Sequence, residues 1–209
     1  VEALRQMHFP GAGVGGHCIP KDSWLLISGA KDLIEPKLIP LSRRINDFMP
    51  RHMFHLLKNA MREANKDFEN AKIVVLGYAY AGNSDDTRNT PTVPFLKFLS
   101  QTGAEIVVHD PYVEDYKINL KDAFKSAQAV VLMADHNQYK KIKAADLKRL
   151  MLKGKPIMID GRNVFSKEKF VKAGFDLEKF KALALTRGVG WAIVYYDPVS
   201  KQLLYNWVD

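Results

Sequence analysis

Four short runs of aliphatic residues constrain this chain more than any other feature. They are Ile73-Val74-Val75-Leu76-Gly77, Ile106-Val107-Val108-His109-Asp110, Ala129-Val130-Val131-Leu132-Met133 and Ile157-Met158-Ile159-Asp160. Each is apolar at nearly every position rather than every second one. A strand of that kind has both faces buried, as in a parallel sheet covered by helices on each side. Helical stretches at Thr92 to Gln101, Leu120 to Ser126 and Ala145 to Leu152 alternate with the runs. Alternation of this kind predicts parallel strands joined by right-handed crossovers.

The texture upstream is different. Trp24, Leu25, Leu26 and Ile27 predict a short buried helix from Ser23 to about Lys31, broken near Gly29. Apolar residues from Ile45 to Ala64 recur at helical spacing, and Pro50 suits the first turn of a helix running to Asn65. The expectation is an α/β fold, a Rossmann-like parallel sheet with flanking helices, preceded by a partial helical central domain. The boundary is placed near residue 68, giving units 1–68 and 69–209. After Arg187-Gly188-Val189-Gly190, the segments Trp191 to Tyr196 and Leu203 to Trp207 flank Asp197-Pro198 and predict a terminal hairpin.

Composition excludes several classes. The chain has 209 residues, 31 basic against 23 acidic, a formal charge of +8 and one cysteine. The cations are scattered over helical faces without interleaved aromatics, so no nucleic-acid stripe is expected. No apolar run approaches the ~18 residues of a membrane span, and no signal-peptide pattern opens the chain. A single cysteine rules out an internal disulfide and suits a reducing, cytoplasmic setting. His52 and His55 have a spacing that suits a ligand pair, but no third ligand is evident and no metal is expected.

The chemistry concentrates at Pro10-Gly11-Ala12-Gly13-Val14-Gly15-Gly16-His17-Cys18-Ile19-Pro20-Lys21-Asp22. Glycines at this density let backbone approach a ligand closely, and they lead into a nucleophile-capable thiol. Lys21 and His17 place positive charge beside Cys18, and Asp22 is a carboxylate able to manage protons. Gly11, Gly13 and Gly16 formally satisfy G-x-G-x-x-G, but no strand pattern precedes them and no clean helix follows, so the dinucleotide fingerprint is rejected. Gly77 to Ser84 approaches a phosphate loop, but Asn83 replaces its lysine. The strand ends carry Tyr78 to Tyr80, His109-Asp110, Asp135-His136 and Asp160-Gly161-Arg162, which marks one sheet edge for binding. Each Asp there reads first as a turn or helix cap, whereas a guanidinium at Arg162 suits an anionic ligand.

With those residues in view, PGAGVGGHCIPKD resembles the catalytic-cysteine loop of the UDP-glucose/GDP-mannose dehydrogenase family. IVVLGYAYAGNSDDTRNTP, then VHDP and IDGRNVF, resembles its nucleotide-sugar-binding domain. The spellings are closest to members oxidising UDP-N-acetylhexosamines, of the UDP-N-acetylmannosamine type. The resemblance implies oxidation of a UDP-sugar C6 hydroxyl to the acid with NAD as cofactor. Cys18 would capture the aldehyde and Asp22 would assist proton steps. Phe9, Gly13, Val14, Gly15, Tyr80 and Arg162 would bind the UDP-sugar, and Arg88 would reach NAD. It also implies a homodimer through the central helices, with Ile45 to Ala64 contributing. The family's N-terminal Rossmann domain has no counterpart in this stretch, so NAD would be held mainly elsewhere and this chain alone would be inactive. Ala81 stands where many relatives have lysine, Asn89-Thr90 where Glu-Ser is common, and Ser23 where proline often follows the aspartate. The alternative is a nucleotide-sugar-binding and dimerisation module without chemistry.

Overall fold

The computed structural model describes residues 11–175, together with the backbone of 192–197 and 202–207. Two helices come first, α1 (Cys18–Ala30) and α2 (Leu38–Glu63). Then follow β1 (Lys72–Leu76), α3 (Thr92–Leu99), β2 (Glu105–His109), α4 (Leu120–Phe124), β3 (Ala129–Leu132), α5 (Ala144–Leu150), β4 (Ile157–Asp160) and α6 (Lys167–Lys172). The four strands pair in parallel in the order β2-β1-β3-β4, as their continuous apolar runs predict. β5 (Ala192–Asp197) and β6 (Gln202–Trp207) pair antiparallel as the expected hairpin.

Successive side chains of a strand point to opposite faces, and the core divides accordingly. Ile73, Val75, Val131, Ile157 and Ile159 face α2 and α3, meeting Met53, Leu57, Ala60, Met61, Phe95 and Leu99. Val74, Leu76, Val130, Leu132 and Met158 face the other way, against Ala123, Phe124, Leu147 and Phe170 from α4, α5 and α6. Met53, Leu57, Ala60 and Met61 recur at the i, i+4, i+7, i+8 spacing of one helix face. All four are almost fully buried.

Two expectations are corrected. The first helix starts at Cys18 rather than Ser23, and none of its residues is buried. Leu25 and Leu26 are 60% and 61% exposed, because no described element packs over that face. Second, Pro50 lies inside α2, which begins at Leu38. Proline removes the bond to the carbonyl four residues earlier, here that of Asn46. The second half of α2 packs on the chain's own sheet. The exposed large apolar residues of the helix are Leu38, Leu41, Ile45 and Phe48, the last two inside the stretch expected to contribute to a dimer.

Between β1 and β3 the strand order reverses, since β1 is followed in sequence by β2 on one side and by β3 on the other. Ligands of open α/β sheets bind in the crevice beyond the carboxyl ends at such a point. Gly77 closes the floor of that crevice. Its φ is +92°, and a Cβ there would stand 2.5 Å from the Ala134 Cβ.

Candidate functional site

The glycine loop crosses this carboxyl edge and is fixed at three points. At its start, Gly11 lies against Gly161 and the Arg162 guanidinium; a Cβ would meet them at 2.8 and 2.9 Å. In its middle, the Val14 N–H donates to Asn46 Oδ1 (2.8 Å) and Asn46 Nδ2 donates to the Val14 carbonyl (3.1 Å). At its end, the Gly16 N–H donates to the Arg88 carbonyl (2.8 Å) and Asn89 Nδ2 donates to the Gly16 carbonyl (2.8 Å). Close approach explains the glycines. A Cβ on Gly15 would sit 2.5 Å from the Asn89 carbonyl oxygen, and one on Gly16, at φ +91°, would sit 3.0 Å from the Tyr80 ring.

Cys18 follows as the first residue of α1 and is exposed. The positive end of the helix macrodipole lies there. Lys21 Nζ is 3.3 Å from His17 Nε2 and 3.6 Å from an Asp22 oxygen, and Asp22 is exposed one turn beyond Cys18. A helix does open two residues after Gly16, which removes one ground for rejecting a dinucleotide fingerprint. Another ground takes its place: the Gly16 amide is already bonded to the Arg88 carbonyl rather than offered to a phosphate. Whether a strand precedes the loop lies outside the described residues, as does Phe9.

Opposite the loop stands the turn after β1. Arg88 grips Asp86 with Nε at 3.0 Å and Nη2 at 2.6 Å. Side-chain and backbone bonds from Arg88 bring the Asp86 carboxyl down to about 2. The Arg88 charge is also close enough to interact with Tyr80 and Cys18. The Tyr80 N–H donates to the Asp86 carbonyl (3.1 Å), which ties this turn to the Tyr80 segment. A cleft of about 480 Å³ lies between the first turns of α1 and Asn89, lined by His17, Lys21, Trp24 and Leu25 among others.

At the far end, Arg162 donates from Nε and Nη2 to one oxygen of Asp135 (3.2 and 3.1 Å). Burial raises the Asp135 carboxyl, but the Arg162 charge and hydrogen bond outweigh it and the net shift is downward. Asp160 accepts from the backbone N–H of Arg162, Val164 and Phe165, shaping the loop that presents Arg162. Burial dominates there and pushes this carboxyl up. Asp110 accepts from the N–H of Tyr78, Ala79, Tyr112 and Val113 and lies 3.0 Å from His136 Nε2. His136 Nδ1 accepts from the Asn83 N–H (2.9 Å), so the ring proton sits on Nε2 and is donated to Asp110.

Cys18, Gly13, Val14, Gly15, Tyr80 and Arg88 therefore come together, with Arg162 at the Gly11 end of the same loop. Sequence reasoning passed over Asn46, the pairing of Asp135 with Arg162 and the anchoring role of Asn89. The signal for Asn46 is a polar residue one turn before an internal proline; for Asn89 it is the departure from Glu. Among the described residues no group of three metal-ligating side chains occurs, and no helix is long and apolar enough to cross a membrane.

Comparison with known proteins matches residues 2–48 to the UDP-glucose/GDP-mannose dehydrogenase family, central domain, and residues 74–167 to its UDP binding domain. A UDP-N-acetyl-D-mannosamine dehydrogenase of Pyrococcus horikoshii is 40% identical over 159 residues, 76% of this chain and 37% of that protein. Its counterpart in Methanocaldococcus jannaschii is 35% identical over 170 residues, 79% and 38% of the two chains. The crystal structure of an NDP-N-acetyl-D-galactosaminuronic acid dehydrogenase from Methanosarcina mazei Go1 superposes with a TM-score of 0.75 at 39% identity, covering 82% of this chain and 39% of that one. The chain thus spans little more than a third of the length of these relatives.

Proposed function

Because this chain belongs to the UDP-glucose/GDP-mannose dehydrogenase family and carries its central and UDP-binding domains, we propose that it is the substrate-binding and thiol-bearing part of an NAD-dependent UDP-sugar 6-dehydrogenase. The proposed substrate is a UDP-N-acetylhexosamine. The observation that carries this reading is the placement of Cys18 at the end of a glycine loop that lies across the crevice between β1 and β3. The proposed domain boundary falls near residue 68, where the helices give way to β1.

The nucleotide end of the sugar lies along the loop backbone at Gly13, Val14 and Gly15, with the Tyr80 ring on one side and Arg162 on the other. Phe9, which the resemblance adds to this set, lies outside the described residues. Arg162 is held by Asp135, which orients the guanidinium fork before a diphosphate or ribose arrives. NAD, when bound, supplies the hydride acceptor. The described residues fit only its edge, through the exposed guanidinium of Arg88, because they form no dinucleotide cradle. Cys18 adds its sulfur to the C6 aldehyde carbonyl and holds the carbon as a thiohemiacetal, which keeps the aldehyde from escaping. Two hydrides leave C6, one as the alcohol becomes the aldehyde and one as the thiohemiacetal becomes the thioester, so two molecules of NAD would be consumed as acceptors. Water then attacks the thioester carbonyl carbon, the C–S bond breaks, and the thiol and the carboxylate product are released. Asp22 accepts the proton of that water.

Two measurements test the reading. Calorimetry of the chain with UDP gives a binding heat that Arg162→Ala weakens about ten-fold or more; no heat at millimolar UDP would remove the binding role. In an assay of the complete enzyme, Cys18→Ser abolishes acid formation from the UDP-sugar. Normal acid formation by that variant would take Cys18 out of the mechanism.

A further inference from the structure

Between Gly11 and Gly16 the loop carries no side chain larger than valine. Ala12 is buried against the core beneath α2, and beyond it the loop is held by backbone hydrogen bonds. Two asparagines on separate elements supply three of them. Asn46, on α2, both accepts from and donates to Val14. Asn89, in the turn after β1, donates to the Gly16 carbonyl while the Arg88 carbonyl beside it accepts from Gly16. Beyond Gly16 the chain runs through His17 and Cys18 into α1, which buries no residue of its own. The helix meets α2 without burying a side chain, and the hydrogen bonds at Gly16 stand two residues from the sulfur.

We infer that Asn46 and Asn89 are positioning residues that clamp the glycine loop from two sides and thereby set the place of the Cys18 thiol. Each acts through its amide N–H. An aspartate has the same shape but, when ionised, offers no donor and turns a charge against the carbonyl. Asn89 also has φ +49°, which asparagine tolerates and glycine adopts freely. Glycine at position 89 therefore keeps the turn and deletes only the amide. The consequence for turnover rests on the proposed role of Cys18; the clamp itself does not.

The test uses the whole 209-residue chain, in which Cys18 is the sole thiol. Hydrogen exchange reads the amides of residues 13–19, and mass spectrometry follows iodoacetamide alkylation of Cys18 at one fixed pH. Asn89→Asp, Asn89→Gly and Asn46→Asp each speed exchange of the segment about ten-fold. They also change the alkylation rate about three-fold at fixed pH, because the sulfur no longer holds one place against its neighbours. Asn65→Asp, at an exposed asparagine with φ +50° remote from the loop, leaves both readings at the wild-type value. Wild-type exchange and alkylation in the Asn89 variants would overturn the inference. So would an effect confined to Asn89→Asp, which would assign it to the added charge. Loss of the far-UV circular dichroism spectrum in these variants would make the asparagines structural and equally count against it. Neither reading requires turnover, so failure here leaves the proposed role of Cys18 intact, and acid formation by Cys18→Ser would leave the clamp intact.

Discussion

Asp110 ties together the segments that surround the crevice. Its carboxylate holds the N–H groups of Tyr78 and Ala79 after β1, those of Tyr112 and Val113 after β2, and the His136 ring after β3. Burial by itself raises this carboxyl. Bonds from His136, Ala79 and Tyr112 outweigh that and hold it well below the usual carboxylate range. A depressed folded-state value means stabilisation that is complete above the unfolded value near ~3.9 and is lost as pH falls through the folded value. Asp110→Asn keeps one acceptor oxygen and loses the charge. It is expected to cost about 1.5–3 kcal/mol at neutral pH. Urea titrations of the two proteins then converge as the buffer is taken from about pH 7 down to about pH 3. A constant gap across that range would show that the charge of Asp110 does not stabilise the fold. The sequence motif already suggested a turn-capping aspartate here. His136 as its partner was not legible, because nothing local relates positions 26 residues apart.

Among the elements, the strands were the most legible, since a run buried on both faces leaves a pattern that needs no partner to interpret. The helices were less so. An internal proline removes one hydrogen bond and costs about 3 kcal/mol, which is why α2 reads as starting at Pro50. The packed face from Met49 to Met61 outweighs that cost. α1 reads as buried because apolar side chains look the same whether or not anything covers them. α6 carries too many charges in six residues to stand out. The close passage of β1 past the residue after β3 appears in the sequence only as the glycine ending a strand. Gly77→Ala places a methyl group 2.5 Å from the Ala134 Cβ and 2.6 Å from its nitrogen, at φ +92°. The expected destabilisation is about 2–4 kcal/mol by urea unfolding. Gly154→Ala, at φ +120° with open space around it, shares the backbone strain without the contact and should cost about 1 kcal/mol. Equal losses at the two positions would mean that the crevice floor is not closely packed.

At the scale of the whole molecule, the sheet is covered on both faces by the chain's own helices, and only its carboxyl edge is left to chemistry. The loop that carries Cys18 was legible from its residues. Its anchors were not, because Asn46, Asn89, Asp135 and Arg162 lie far along the chain and meet the loop only in the fold. A row of exposed apolar residues borders this arrangement. Trp24, Leu25 and Leu26 of α1 and Leu38, Leu41 and Ile45 of α2 are all exposed. Exposed large apolar side chains on two neighbouring helices suit a partner surface, and the proposed occupant is a second copy of the chain. Sedimentation velocity should then show a dimer whose fraction grows with concentration. Leu26→Lys combined with Ile45→Lys places two charges on the face without touching the residues buried against the sheet. That variant should sediment as a monomer with an unchanged circular dichroism spectrum, because burying an unpaired ammonium in the interface costs several kcal/mol. A wild-type chain that stays monomeric at all concentrations would remove the second copy as the cover for this face, and a dimer that survives both lysines would place the interface elsewhere.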